Sequence, residues 1–131
     1  MKNKTLKVDW KEINKGIDIL EKKLKPLAAT IKNVYGLPRG GLVPAVMLSH
    51  RLGVPLVVDQ RSISKGTVIV DEIIDSGETM IKLSKKKKAK LFVGLYLRQG
   101  SKFTPDYTAF KVKNLDYLVF PWENGGNANH K

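Results

Sequence analysis

The sequence predicts an α/β fold, a single domain built on a mainly parallel sheet flanked by helices. Three observations predict it. Apolar segments of strand length alternate with segments of helical periodicity along the chain. One strand segment, "TVIVDEI" (67–73), is a continuous β-branched run, the pattern of a strand buried on both faces. The chain has 131 residues, 42% of them hydrophobic and 27% charged, with no internal repeat and no linker. That describes one domain over 1–131 with a sizeable core.

Each element has its own signal. "DWKEINKGIDILEKKLK" (9–25) sets Trp10, Ile13, Ile17, Leu20 and Leu24 at helical spacing, with Asp9 as N-cap and Pro26 following. "IKNVYGL" (31–37) is a short apolar strand, and "GGLVPAVMLSHRLG" (40–53) reads as a loop running into a helix that closes at Gly53. "VPLVV" (54–58) and "TVIVDEI" (67–73) are strands, followed by a helix from about Gly77 to Ser84. "AKLFVGLYL" (89–97) and "LDYLVF" (115–120) supply two more strands, and the polar, Gly/Asn-rich end 124–131 reads as a flexible tail.

Composition excludes several functions. There is no cysteine, so disulfides, thiolate metal sites and thiol nucleophiles are absent. The first residues lack the apolar core of a signal peptide, and no apolar stretch approaches membrane-spanning length. The expectation is a cytoplasmic protein with no membrane partner. Lys+Arg number 24 against 12 Asp+Glu, a net charge of +12, which attracts polyanions or small phosphorylated ligands. Much of that charge lies in "KLSKKKKAK" (82–90). No aromatic residues are interleaved there to stack on bases, so a solvated helix end is favoured over a nucleic-acid site.

The chemistry gathers in "VIVDEIIDSGETM" (68–80). In an open parallel sheet, ligands bind outside the carboxyl ends of the strands, at a switch point of the topology. Strand 67–73 ends there with Asp71, Glu72 and Asp75, and Asp75-Ser76-Gly77-Glu78-Thr79 opens a helix. Backbone N–H groups at such a helix start cradle a phosphate, and Ser76 and Thr79 add hydroxyl donors. The acids repel a phosphate but suit hydroxyls, or a divalent cation held between them and the ligand. Without a ligand or metal they would also repel one another. A phosphorylated sugar satisfies both halves. A second strand-to-helix loop, "YGLPRGGLVPA" (35–45), offers Gly40 and Gly41 for close backbone approach and Arg39 for an anionic group. Neither G-x-x-x-x-G-K-[ST] nor G-x-G-x-x-G occurs.

"VIVDEIIDSGETM" resembles the 5-phosphoribosyl-1-pyrophosphate (PRPP) signature of the type I phosphoribosyltransferases, and "PRGGLVPA" resembles their pyrophosphate loop. "DYLVFPWE" (116–123) is similar to the closing segment of the bacterial xanthine-guanine members. The likeness runs from about Asp9 to Glu123 and implies the type I phosphoribosyltransferase fold with a minimal hood. It implies transfer of the phosphoribosyl group from PRPP to a 6-oxopurine (guanine, xanthine or hypoxanthine), with release of pyrophosphate. By the same resemblance, Asp71 and Glu72 hold the ribose hydroxyls and the Mg²⁺ chelated by PRPP. Asp75 is the general base near purine N7, Ser76, Gly77, Glu78 and Thr79 bind the 5′-phosphate, and Arg39 and Gly40 face the pyrophosphate. Arg98 takes the place of a lysine that contacts the purine 6-oxo group, Tyr117 that of a tryptophan that stacks on the base, and Leu118 gives backbone contacts to the base edge. Arg98 could also be a solvated strand end and Tyr117 a core residue. Trp122 reads as packing, and His50 and His130 as unremarkable.

One departure stands out. Where the relatives have a long flexible loop that closes over the reacting centre, only "DQRSISKG" (59–66) is present, and the hood is reduced to the C-terminal segment. The expected partners are PRPP, a purine base and further copies of this chain in a dimer or tetramer. The alternative is a catalytically weak regulatory module that binds PRPP or a nucleotide and has nucleic-acid affinity. A weaker third reading is hydrolysis of PRPP in the uncovered site.

Overall fold

In the computed structural model, which describes residues 4–113 and 116–123, Asp9 caps the first helix by accepting from the Glu12 amide at 2.8 Å. Helix α1 runs Trp10–Leu24 and buries the stripe Ile13, Ile17, Leu20 and Leu24 completely. Trp10, expected on that stripe, is 48% exposed instead, tilted against Trp122 at a ring separation of 5.8 Å. Pro26 ends the α-helical hydrogen bonding, and the chain continues as a 3₁₀ turn over Lys25–Thr30.

The remaining elements are β1 (Thr5–Lys7), β2 (Asn33–Gly36), α2 (Leu42–Leu52), β3 (Leu56–Val57), β4 (Thr67–Ile74), α3 (Glu78–Lys86), β5 (Leu91–Arg98), β6 (Tyr107–Val112) and β7 (Tyr117–Val119). The main sheet has the order β3-β2-β4-β5-β6, and every pairing in it is parallel. Because β3 lies on one side of β2 and β4 on the other, the order reverses at the β2–β4 boundary. Ligands of open α/β sheets bind at such a boundary. Gly53 closes α2 in the left-handed conformation that favours glycine.

Two cores cover the two faces. On one, α1 and α2 pack Leu20, Leu24, Ala45 and Leu48 against Val34, Val68, Val70 and Val93. On the other, Met80 and Leu83 of α3 pack against Tyr35, Ile69 and Ile74. The Tyr96 hydroxyl donates to the Glu12 carboxylate, tying α1 to β5. Along β4 the two-residue alternation slips by one place. Val68, Val70 and Ile73 share one core while Ile69 and Ile74 share the other, and the slip falls across Asp71–Glu72.

Two strands go beyond the sequence expectation. β6 extends the sheet beside β5. β1 pairs in parallel with β7, Thr5 opposite Tyr117 and Lys7 opposite Val119. The hood is therefore a two-stranded ribbon from both halves of the chain, not the C-terminal segment alone. The connection 59–66 is short, as expected. It forms a 3₁₀ turn over Gln60–Ser62 that Asp59 caps by accepting from the Arg61 amide at 2.9 Å, and buried Ile63 anchors it in the smaller core. Leu115 and the tail 124–131, His130 included, lie outside the described residues.

Candidate active site

The acid pair lies where β4 meets the switch point. The Glu72 amide donates to Asp71 Oδ1 at 2.9 Å. Burial, and then the Glu72 carboxyl beside it, push the Asp71 carboxyl far above the ordinary carboxylate range, to about 9. Two carboxyls this close in a desolvated place cannot both stay ionised without a counter-charge. A cation between them and a ligand would supply one. No cluster of three or more His, Cys, Asp or Glu side chains forms a metal cage among the described residues, so such a cation would draw its other ligands from substrate and water.

The β2–α2 loop meets this pair. Leu37 donates its amide to Val70 O at 2.9 Å, and the Pro38–Arg39 peptide is cis. A Cβ on Gly40 would lie 1.6 Å from Glu72 Oε2. The missing side chain at 40 thus makes room for a carboxylate of the protein, where the sequence suggested room for a ligand. The structure therefore brings Gly40 against Glu72, and Arg39 is exposed on the same loop.

Residues Asp75 to Thr79 wrap a small cavity of about 90 Å³ that Asp71 also lines. Gly77 holds φ at +92°, conformationally costly for any residue with a Cβ. A Cβ there would also lie 2.6 Å from Phe103 N and 2.7 Å from Ser101 Oγ. The glycine therefore lets residues 101–103 pack closely against the loop. The Lys102 amide donates to Ser76 O at 2.8 Å, bracing the loop from the β5–β6 connection. Sequence reasoning missed this brace; its one signal is the Gly-Ser-Lys turn after Arg98. The Glu78 amide donates to Ser76 Oγ at 3.3 Å, and α3 begins directly behind it.

Asp75 and Arg98 lie on neighbouring strand ends and form an ion pair, Arg98 Nε donating to Asp75 Oδ1 at 2.7 Å. The Arg98 side chain is 10% exposed and that of Asp75 66%, so a buried guanidinium holds a carboxylate that faces solvent. Arg98 is not the solvated strand end that its sequence position also allowed. It lines a cavity of about 380 Å³ with Gln99, Gly100, Phe103 and Lys111. Leu118 is buried and lines a different cavity, of about 840 Å³, which shares Lys111, Val112 and Lys113 with the first. Of the residues that the resemblance assigned to the base, Arg98 and Leu118 therefore line two adjoining cavities, and Tyr117 lines neither. Tyr117 is 43% exposed, so it is not core. Trp122 packs as expected, stacked on Phe120 at 5.0 Å, and His50 is an exposed helix-face residue.

No protein-family model matches the chain. Individual relatives do. The chain is 26% identical over 145 residues to xanthine-guanine phosphoribosyltransferase of Idiomarina loihiensis, covering 92% of this chain and 88% of that one. The crystal structure of purine phosphoribosyltransferase from Pyrococcus horikoshii superposes with a TM-score of 0.75 at 32% identity, over 91% of this chain and 94% of that one. Helicobacter pylori xanthine-guanine-hypoxanthine phosphoribosyltransferase shares the fold at a TM-score of 0.75 and 17% identity.

Proposed function

The chain belongs to the type I phosphoribosyltransferase family, and from that premise we propose that it transfers the phosphoribosyl group of PRPP to a 6-oxopurine in purine salvage. The C1–O bond to pyrophosphate breaks, a C1–N bond to the purine forms, and pyrophosphate leaves. The observation that carries this reading is the Asp75–Arg98 pair at the end of β4 and β5, 2.7 Å apart.

On a 6-oxopurine, N7 and O6 are neighbours on one edge of the ring. A carboxylate and a guanidinium held side by side match that edge. The carboxylate takes the proton from N7 as the glycosidic bond forms, and the cation donates to O6. Adenine presents an amino group where the guanidinium needs an acceptor, so it is disfavoured. Tyr117 on the hood covers the base, and Leu118 contributes backbone contacts to its edge.

The sugar sits across the switch point. Asp71 and Glu72 accept from the ribose hydroxyls, while Ser76, Gly77, Glu78 and Thr79 bind the 5′-phosphate through amides and hydroxyls. Arg39 and the Gly40 backbone face the pyrophosphate. Asp71 and Glu72 also suit Mg²⁺, which takes one or two carboxylates and fills its shell with substrate oxygens and water. Bound there, Mg²⁺ offsets the charge on the departing pyrophosphate.

Residues 59–66 are anchored by Ile63 and do not form a lid over this site. Water therefore competes for the activated sugar more than in a lidded enzyme. A coupled pyrophosphate-release assay tests the reading, with PRPP and Mg²⁺ offered guanine, xanthine, hypoxanthine, adenine, orotate and uracil in turn. Release with a 6-oxopurine supports it. Release with adenine alone, or with no base required, contradicts it.

A further inference from the structure

The lysine run at 82–90 divides once α3 is in place. Lys82 follows Thr79 by three residues and Lys86 follows Lys82 by four, spacing that stacks side chains along one helix face. With Leu37, Gln60, Thr79 and Leu83, these two lysines line a cavity of about 170 Å³. Thr79 also lines the cavity of about 90 Å³ formed by Asp75–Thr79, so the two cavities share one lining residue. Lys85 and Lys88, equally exposed, line neither.

Direction matters as much as spacing. Helical side chains lean toward the helix N-terminus and lie over the preceding turn. For Lys82 that turn carries Glu78 and Thr79, at the mouth of the loop. Glu78, four residues earlier, is the usual helical partner for such a lysine, yet no ion pair joins the two. Lys82 thus begins one helical turn behind a loop that carries no cation of its own from Asp75 to Thr79, and a side chain leaning toward the helix N-terminus extends in that direction.

We propose that Lys82 is a further binding residue of this site, its ammonium engaging an oxygen of the sugar 5′-phosphate held by Ser76–Thr79. The proposal rests on the reading of that loop as the phosphate loop. It assigns Lys82 to one phosphate, while Lys85 and Lys88 contribute only to the diffuse positive field.

Calorimetry with ribose 5-phosphate and, separately, inorganic pyrophosphate tests it on the wild type and on Lys82→Ala, Lys82→Arg and Lys85→Ala. All three substitutions are at exposed helix positions that folding tolerates. Lys82→Ala should weaken ribose 5-phosphate binding about tenfold, the scale of one charge-assisted hydrogen bond at a partly exposed site. Lys82→Arg should keep most of the affinity, Lys85→Ala should change it less than about twofold, and pyrophosphate binding should be unchanged throughout. Equal losses in Lys82→Ala and Lys85→Ala would overturn the proposal in favour of a diffuse field, as would no loss in Lys82→Ala. Failure of the wild type to bind ribose 5-phosphate would overturn it too. The pyrophosphate-release assay on the wild type judges the transfer reaction separately, because ribose 5-phosphate binding needs no purine.

Discussion

Asp71–Glu72 and Asp75 stand on one strand end of one protein and live in opposite surroundings. Asp71 is desolvated, crowded by another carboxyl, and pushed up to about 9. Asp75 has a side chain 66% exposed and a guanidinium 2.7 Å away. The first pair is short of positive charge, and the second position already has it. The proposed function gives these two surroundings different tasks, hydroxyls and a cation for the pair and the N7 proton for Asp75. Environment assigns the role, not residue type.

The contrast can be broken by removing one charge at a time. Asp75→Asn keeps the size and an oxygen for Arg98 but loses the proton acceptor. Turnover should fall by about 10²–10⁴-fold, the range for a general base, with PRPP affinity retained; steady-state kinetics and calorimetry measure both. Asp71→Asn should do the reverse, weakening PRPP in the presence of Mg²⁺ by about 10–100-fold through loss of charge-assisted contacts. If both variants lose turnover and affinity in parallel, the two positions do not have separate tasks.

A smaller effect sharpens the description of the acid pair. Gly40→Ala places a methyl group where the Glu72 carboxylate now lies, so Glu72 must move. Overpacking of this kind costs about 1–3 kcal/mol of stability, and PRPP affinity should drop with it. Chemical denaturation and calorimetry on one preparation check the coupling; normal stability with normal affinity would show that Glu72 is free to relocate.

A further effect is a slope with pH. Asp71 holds its proton more tightly folded than unfolded, where its pKa is near 3.8. The folded state therefore binds the extra proton between about pH 4 and about pH 9, and stability falls as pH rises through that window. Thermal melts at about pH 5 and about pH 8 should show this decline, flattened in Asp71→Asn. Because a cation binds the deprotonated form, Mg²⁺ should stabilise more at the higher pH. A stabilisation independent of pH would separate the cation from this carboxyl.

Much of this was legible in the chain. The β-branched run ending in Asp71, Glu72 and Asp75, and the Asp9-capped stripe of α1, are strong local signals because burial and capping leave a periodic trace. β1 left none: its three residues are exposed, and only pairing with β7 makes them a strand. β6 is a half-buried edge strand, too mixed in pattern to separate from a loop. The roles of the glycines were the least legible. Gly40 read as an opening for a ligand and Gly77 as part of a phosphate cradle, and each also yields space to a distant part of the same chain, Glu72 in one case and residues 101–103 in the other. Contacts between segments far apart in sequence have no periodicity to give them away. The Asp75–Arg98 ion pair was equally invisible, although each residue had been singled out.

The most direct test of the division of labour is PRPP binding by calorimetry, with and without Mg²⁺, on the wild type, Asp71→Asn and Asp75→Asn. The wild type and Asp75→Asn should both bind PRPP more tightly with Mg²⁺, and Asp71→Asn should bind it weakly with little response to the metal. Equal dependence on Mg²⁺ in all three proteins would contradict the assignment of the half-buried acid pair to the cation and of Asp75 to the proton.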